Sequence, residues 1–198
     1  PLLRGRDIKR YNYDFKDLYL ICTFPALNLN INNYPAIKKY LKSFGKRLEQ
    51  SGELGCRKKT TNKWFETSDN IAFYKEFDKP KVIYPETTIK PNFYYDSNNF
   101  VPDKTNFIMT GKNLKYIMAI LSSKLGFYAF YNFYSKIKLG SVGFQYREDS
   151  LKPFPIPEID DKIEKKFERL VNNIIENNKK GINVDNLQEK IDELVYRL

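Results

Sequence analysis

Lys136 to Pro157, KIKLGSVGFQYREDSLKPFPIP, is the stretch that most restricts what this chain can become. Pro153, Pro155 and Pro157 stand at alternate positions, and prolines so spaced exclude both a continuing helix and a central strand. The chain must leave this point extended. Ahead of the prolines, Gly140 and Gly143 permit a tight loop, with Lys136 and Lys138 before it and Gln145, Tyr146 and Arg147 after it. Leu151 and Phe154 then return the chain to a core. We therefore expect a basic, glycine-punctuated loop followed by a terminator. That divides the chain into a domain over residues 1–157 and a separate helical segment over 158–198.

Charge divides near the same place. Residues 1–150 carry 25 Lys and Arg against 14 Asp and Glu, whereas residues 151–198 carry 9 against 10. A basic body beside a neutral tail points to a polyanionic partner for the body. A genome rich in A and T also enriches Lys, Asn, Ile and Tyr, but that bias would raise Lys in the tail as well. Hydrophobic residues make up 41% of the chain, enough for a packed core. Pro1 in place of Met leads us to expect a piece of a longer chain.

Several classes of chemistry are excluded. The chain has no His and only Cys22 and Cys56. The usual zinc sites and the Ser-His and Cys-His nucleophiles are out of reach. Two cysteines give no disulfide framework, which fits a reducing cytosol and a cytoplasmic location. Leu18 to Ile37 carries no charge, but Pro25, Pro35 and four Asn residues interrupt it, so no membrane span is expected. No signal-peptide pattern opens the chain.

In chain order, RGRDIKRY places Arg4, Arg6, Lys9 and Arg10 within seven positions, with Asp7 available to hold one of them. Arg forks match phosphate oxygens, although a solvated charge run reads equally well. Leu18–Phe24 is an apolar, β-prone run ended by Pro25 and predicts a buried strand. Pro35 suits a first helical position, and Ile37, Tyr40, Leu41, Phe44 and Leu48 recur at helical spacing as a core face. Residues 51–63 form a loop carrying Arg57, Lys58, Lys59, Asn62 and Lys63. Trp64 and Phe65 follow it as core anchors, the favoured reading for Trp64 over a base-stacking platform.

Short runs at Val82–Tyr84, Phe93–Asp96 and Phe107–Met109, separated by turn residues, predict a three-stranded meander. From Gly111 the period becomes helical through Leu114, Ile117, Met118, Leu121 and Leu125. Thr110 is expected to cap the helix and Gly126 to break it. Six aromatics in eight residues, Phe127 to Tyr134, suit a buried helix better than a stacking platform for single strands. The tail reads as two helices, with capping-box patterns at Asp161/Glu164 and Asp185/Gln188 and a stop at Gly181. Apolar stripes on both suit packing on protein. The fold class that emerges is α+β: a mixed sheet with flanking helices and a C-terminal helical hairpin.

No constellation of residues stands out for catalysis. Glu164 and Lys166 give a nuclease-like spacing, but on the polar face of a predicted helix, and the paired acids 148/149 and 160/161 read as caps and loop charges.

RGRDIKRY followed by a YLI run, then YPAIKKYLKSFGKRLE, KWFE at 63–66, KPKVIYP, LKYIMAILSSKL and a closing IDELVYRL occur in that order. Together they resemble the C-terminal specificity domain of Taq-type adenine-N6 DNA methyltransferases, which also occurs in combined type II restriction–modification enzymes. Gly143 to Pro157 resembles the ends of type I specificity-subunit domains. The resemblance implies a target-recognition domain that binds double-stranded DNA and positions an N-terminal methyltransferase domain of the same chain, with or without a nuclease. S-adenosylmethionine and magnesium are implied for that parent enzyme, which flips out an adenine. The methyltransferase motifs are absent here, and Asn33-Tyr34-Pro35 has the wrong order to replace them. No catalytic residue, cofactor or metal is therefore assigned to this chain.

The candidate DNA contacts are Arg4, Arg6, Lys9 and Arg10, then Arg57, Lys58, Lys59 and Lys63, then Lys136, Lys138 and Arg147 for phosphates. Asn62, Ser141, Gln145 and Tyr146 are the candidates for base edges. Two other readings stay open: a module for RNA or single strands, and a protein-interaction scaffold whose charge is compositional.

Overall fold

The computed structural model describes all 198 residues, and the chain forms two compact units. The smaller is Leu20–Glu76; the larger joins Pro1–Tyr19 to Phe77–Leu198.

The smaller unit holds one α-helix, α1 (Pro35–Lys42), with Pro35 in its first turn. Its apolar face is only half-buried, and no residue of the helix is fully buried. Phe24, Ile31 and Phe65 are the buried apolar side chains of the unit. Polar groups supply much of the rest. Arg57 donates to the carbonyls of Leu48, Trp64 and Glu66 at 2.8–2.9 Å. Gln50 donates to Lys63 and Glu66, and the buried Glu66 carboxylate accepts from the Lys63 backbone N–H at 2.8 Å. Phe65 is the anchor expected of the KWFE segment, whereas Trp64 is 37% exposed with Lys42 over its ring. The strand expected over Leu18–Phe24 does not form. The run crosses from one unit into the other, pairs with no strand, and leaves Tyr19 67% exposed.

In the larger unit, nine short strands build four small sheets. β1 (Leu2–Leu3), β2 (Ile8–Lys9) and β3 (Asn12–Tyr13) lie near the N-terminus, with β2 and β3 joined as a hairpin. β4 (Lys81–Pro85), β5 (Thr87–Thr88), β6 (Tyr94–Asp96), β7 (Val101–Pro102), β8 (Asn106–Thr110) and β9 (Phe144–Gln145) follow. β1 pairs parallel with β7, and β5 antiparallel with β9. The main sheet has the order β6-β4-β8, antiparallel throughout, so the first of the three strands is central and the expected meander is corrected. The composition of β4 accounts for this. All five of its residues are buried: the apolar Val82–Pro85 suit a strand covered on both faces, and Lys81 is buried with its partner Asp96. Val82 and Tyr84 enter the larger core, while Ile83, pointing the other way, packs with Leu3, Ile8, Tyr94 and Phe100.

Helices α2 (Leu114–Ser122), α3 (Lys124–Ala129), α4 (Glu148–Leu151), α5 (Asp161–Lys179) and α6 (Asp185–Tyr196) complete the unit. α2 starts at Asn113, in a left-handed conformation, rather than at Thr110. The break after α2 falls at Ser123, not at Gly126. Ser123 is extended and its Oγ accepts from Gly126 N at 2.9 Å, while Asp192 of α6 accepts from Lys124 N at 2.8 Å. Gly126 has another role, since a Cβ there would lie 1.9 Å from the Ile120 carbonyl oxygen. α3 runs into a π-turn, Phe130–Tyr134, in which Phe130 is buried but Phe133 is exposed. Of the six aromatics Phe130 is buried, Phe127, Tyr131 and Tyr134 are half-buried, and Tyr128 and Phe133 face solvent.

The proline exit is pinned where Tyr116 Oη donates to the Pro157 carbonyl at 2.9 Å. Beyond it, the cap of α5 is Asp160, one residue before the expected Asp161, with Oδ1 accepting from Ile163 N at 2.7 Å. At α6 the Asn183 amide oxygen accepts from Asp185 N, and Gln188 turns instead to Arg10. Gly181, at φ +68°, ends α5 as expected. Phe167, Val171, Ile174, Ile191 and Val195 are buried in the same core as Val82 and Tyr146. The helical hairpin thus packs into the core of this unit, and the two compact units meet along the chain near residues 20 and 76. The fold is α+β with a C-terminal helical hairpin. No helix is long and apolar enough to cross a membrane.

Candidate nucleic-acid interface

The N-terminal RGRD segment forms a tight turn because its charges satisfy one another. Arg4 grips Asp7 through Nε–Oδ2 at 2.8 Å and Nη2–Oδ1 at 2.9 Å, and Arg4 N donates to the same carboxylate at 3.0 Å. The Arg4 guanidinium holds the Asp7 carboxyl below its usual value. Gly5 fits because its N–H donates to Thr105 Oγ1 at 3.0 Å, and a Cβ there would lie 2.7 Å from that oxygen. Arg4 is committed to the scaffold, and the turn presents Arg6 and Lys9 to solvent. The Lys9 ammonium donates to the Arg6 carbonyl at 3.1 Å, which holds it against the turn.

A second wall comes from far along the chain. Residues 137–139 pair back on 143–145, with Leu139 N donating to Gly143 O at 2.7 Å and Gln145 N to Ile137 O at 3.1 Å. The tip, Gly140–Val142, is exposed and includes Ser141. Gly143, at φ +121°, is required by packing as well as by its backbone, since a Cβ would lie 2.1 Å from the Thr88 carbonyl oxygen. The β5–β9 pairing sets Gln145 opposite Thr87, and Gln145 Nε2 donates to Thr87 Oγ1 at 3.2 Å.

Between these walls lies an open groove of about 680 Å³. Arg4, Arg6 and Lys9 line one side and Thr87, Thr88, Ile89 and Val142 the other. Besides Glu86 and Asp103 it combines exposed cations, hydroxyl and amide groups and apolar tips, groups that can hold a phosphate backbone and touch base edges.

The other sequence candidates fall in different places. Arg10 is drawn inward, with Nη1 on Gln188 Oε1 and Nη2 donating to the Ser122 carbonyl at 2.6 Å. Tyr146, expected at a base edge, is fully buried; its ring lies 4.3 Å from Phe130 and 4.9 Å from Phe93, and burial pushes its phenol far up. Arg57 is taken by three carbonyls, and Asn62 donates to Thr67 and Ser68 carbonyls. Each of these four side chains has a place in the fold itself, Arg10, Arg57 and Asn62 through hydrogen bonds and Tyr146 through packing. Lys63 pairs with Glu66 at 3.5 Å, leaving Lys58 and Lys59 exposed on the smaller unit. Lys136 and Arg147 share Asp149, at 3.2 and 3.7 Å, and the Lys136 hydrogen bond draws that carboxyl below its usual value. Lys138 sits 4.7 Å over the Tyr131 ring.

Thr87, Thr88, Ile89 and Asn92 line the groove but were not singled out by sequence reading. The signal available was the hydroxyl pair just after the proline that ends β4, in VIYPETTIKPN.

The fold is an α+β body in which two loops distant in sequence bring polar and basic groups to one cleft. A family model for the TaqI-like C-terminal specificity domain matches residues 1–156, and the chain belongs to that family. The match ends within the proline exit, so α5 and α6 lie beyond it.

Proposed function

We propose that this chain recognises a short sequence in double-stranded DNA and thereby positions an adjoining adenine-N6 methyltransferase, with or without a nuclease, in the cytoplasm. The observation that supports the reading is the meeting of the RGRD turn and the Gly140–Gly143 loop at one groove, within a member of a specificity-domain family. Arg6 and Lys9 supply phosphate or guanine contacts, since Arg and Lys pair with both. Thr87, Ser141 and Gln145 offer donors and acceptors to base edges. Lys58, Lys59 and Lys138 add charge that raises affinity without reading sequence. The chemistry of methyl transfer belongs to the partner domain.

Tyr128 and Phe133 favour a second reading. They are 60% and 74% exposed, with ring centroids 6.2 Å apart, and exposed aromatics stack on unpaired bases. Selection from a random duplex library, followed by competition with single strands, separates the two. Convergence on one short duplex sequence supports target recognition. Stronger binding to single strands than to every duplex overturns it in favour of the aromatic platform.

A further inference from the structure

Two branched apolar side chains stand exposed on one groove. Ile89 and Val142 are each 65% exposed, and both line the groove that carries Arg6 and Lys9. Isolated apolar residues on a surface need no explanation. These two share one groove, and the backbone brings their two segments close. The Thr88–Phe144 pairing places Ile89 beside Gly143, and the absent Gly143 Cβ would lie 3.1 Å from Ile89 N and 2.1 Å from Thr88 O. Only glycine lets the loop press this close, and Val142 is the residue next to it.

The surroundings limit what can cover the pair. Arg6 and Lys9 offer an anionic partner two exposed cations in the same cleft, which also holds Glu86 and an Asp103 that accepts from Thr105 and Asn106. Thr87, whose Oγ1 accepts from Gln145, and Asn92 line the same groove and add a hydroxyl and an amide, as a base edge with both polar and methyl groups would need. In a DNA major groove the one apolar group that marks a base pair is the thymine 5-methyl. We propose that Ile89 and Val142 form a contact for thymine 5-methyl groups and set the sequence preference of this groove at one or two positions. The proposal rests on the DNA-recognition reading above and deepens it.

The test uses the 198-residue chain and the duplex that it selects from a random library. Each thymine of that duplex is replaced in turn by deoxyuridine, which removes the methyl and leaves the hydrogen-bonding edge intact. Affinity should fall about fourfold at one or two positions, the value of one buried methyl, and stay level elsewhere. Ile89→Ala and Val142→Ala should bind the thymine and uracil duplexes alike while melting as the parent does, because both side chains are exposed. If uracil has no effect at any position while the duplex still binds, the methyl contact is wrong and DNA recognition stands. If the alanine variants lose affinity for both duplexes equally and keep the parent's discrimination, the pair packs or wedges without reading methyls, and the proposal fails. If no duplex binds, both readings fall.

Discussion

The Lys81 ammonium lies 2.5 Å from the Asp96 carboxylate, and both side chains are wholly removed from solvent. Lys81 also donates to the Phe77 carbonyl at 2.6 Å, and Asp96 accepts from the backbone N–H groups of Asn98 and Phe100 at 2.8 and 2.9 Å. The pair joins β4 to β6, and its desolvation is offset only while the whole set is intact. Removing one partner strands the other charge. Asp96→Ala or Lys81→Met should therefore lower unfolding free energy by about 3–5 kcal/mol. Urea denaturation checks this, with the midpoint falling and the slope unchanged.

Arg10 ties the N-terminal hairpin to α2 and α6 through Ser122 O and Gln188. Arg10→Ala should cost about 1.5–3 kcal/mol, the range for hydrogen bonds to a charged group. It should leave the salt dependence of DNA binding at its parent value. A change in that dependence would return Arg10 to the interface.

Tyr146 has a buried hydroxyl without a hydrogen-bond partner, at the centre of an aromatic cluster with Phe93, Phe130 and Phe144. Tyr146→Phe keeps the ring and removes the unsatisfied group. Stability should hold or rise by up to about 1 kcal/mol, and duplex affinity should not move. Thermal melting and a binding titration measure both.

Asp7 gives the RGRD turn a dependence on acid. Its carboxyl lies below the ordinary value of 3.8 because Arg4 hydrogen-bonds it. A depressed carboxylate stabilises the fold fully above its unfolded value, and that contribution is lost as pH falls through the folded value. The melting temperature should thus drop as pH is taken below about 4, and Asp7→Asn should flatten that part of the curve.

The sequence revealed the core elements best where one force decided them. The continuous apolar run of β4 and the stripe of Phe167 and Ile174 needed no tertiary knowledge. The strand expected over Leu18–Phe24 failed because β propensity cannot supply a pairing partner, and the run instead connects two units. At the groove, charge showed which segments were basic but not which cations were already spent. Arg4 and Arg6 look alike in RGRD, yet Asp7 takes one and leaves the other. Thr87 and Ile89 were hidden because only the β5–β9 pairing brings them to the Gly143 loop.

The central claim is that the groove between the RGRD turn and the Gly140–Gly143 loop holds DNA. The most direct measurement is duplex affinity against salt concentration for the parent chain, Arg6→Ala, Lys9→Ala and their combination. We predict linear log–log plots, with the slope reduced by about 0.9 for each phosphate contact removed and the double variant additive. A double variant with the parent's affinity and slope would contradict the assignment of this groove to DNA.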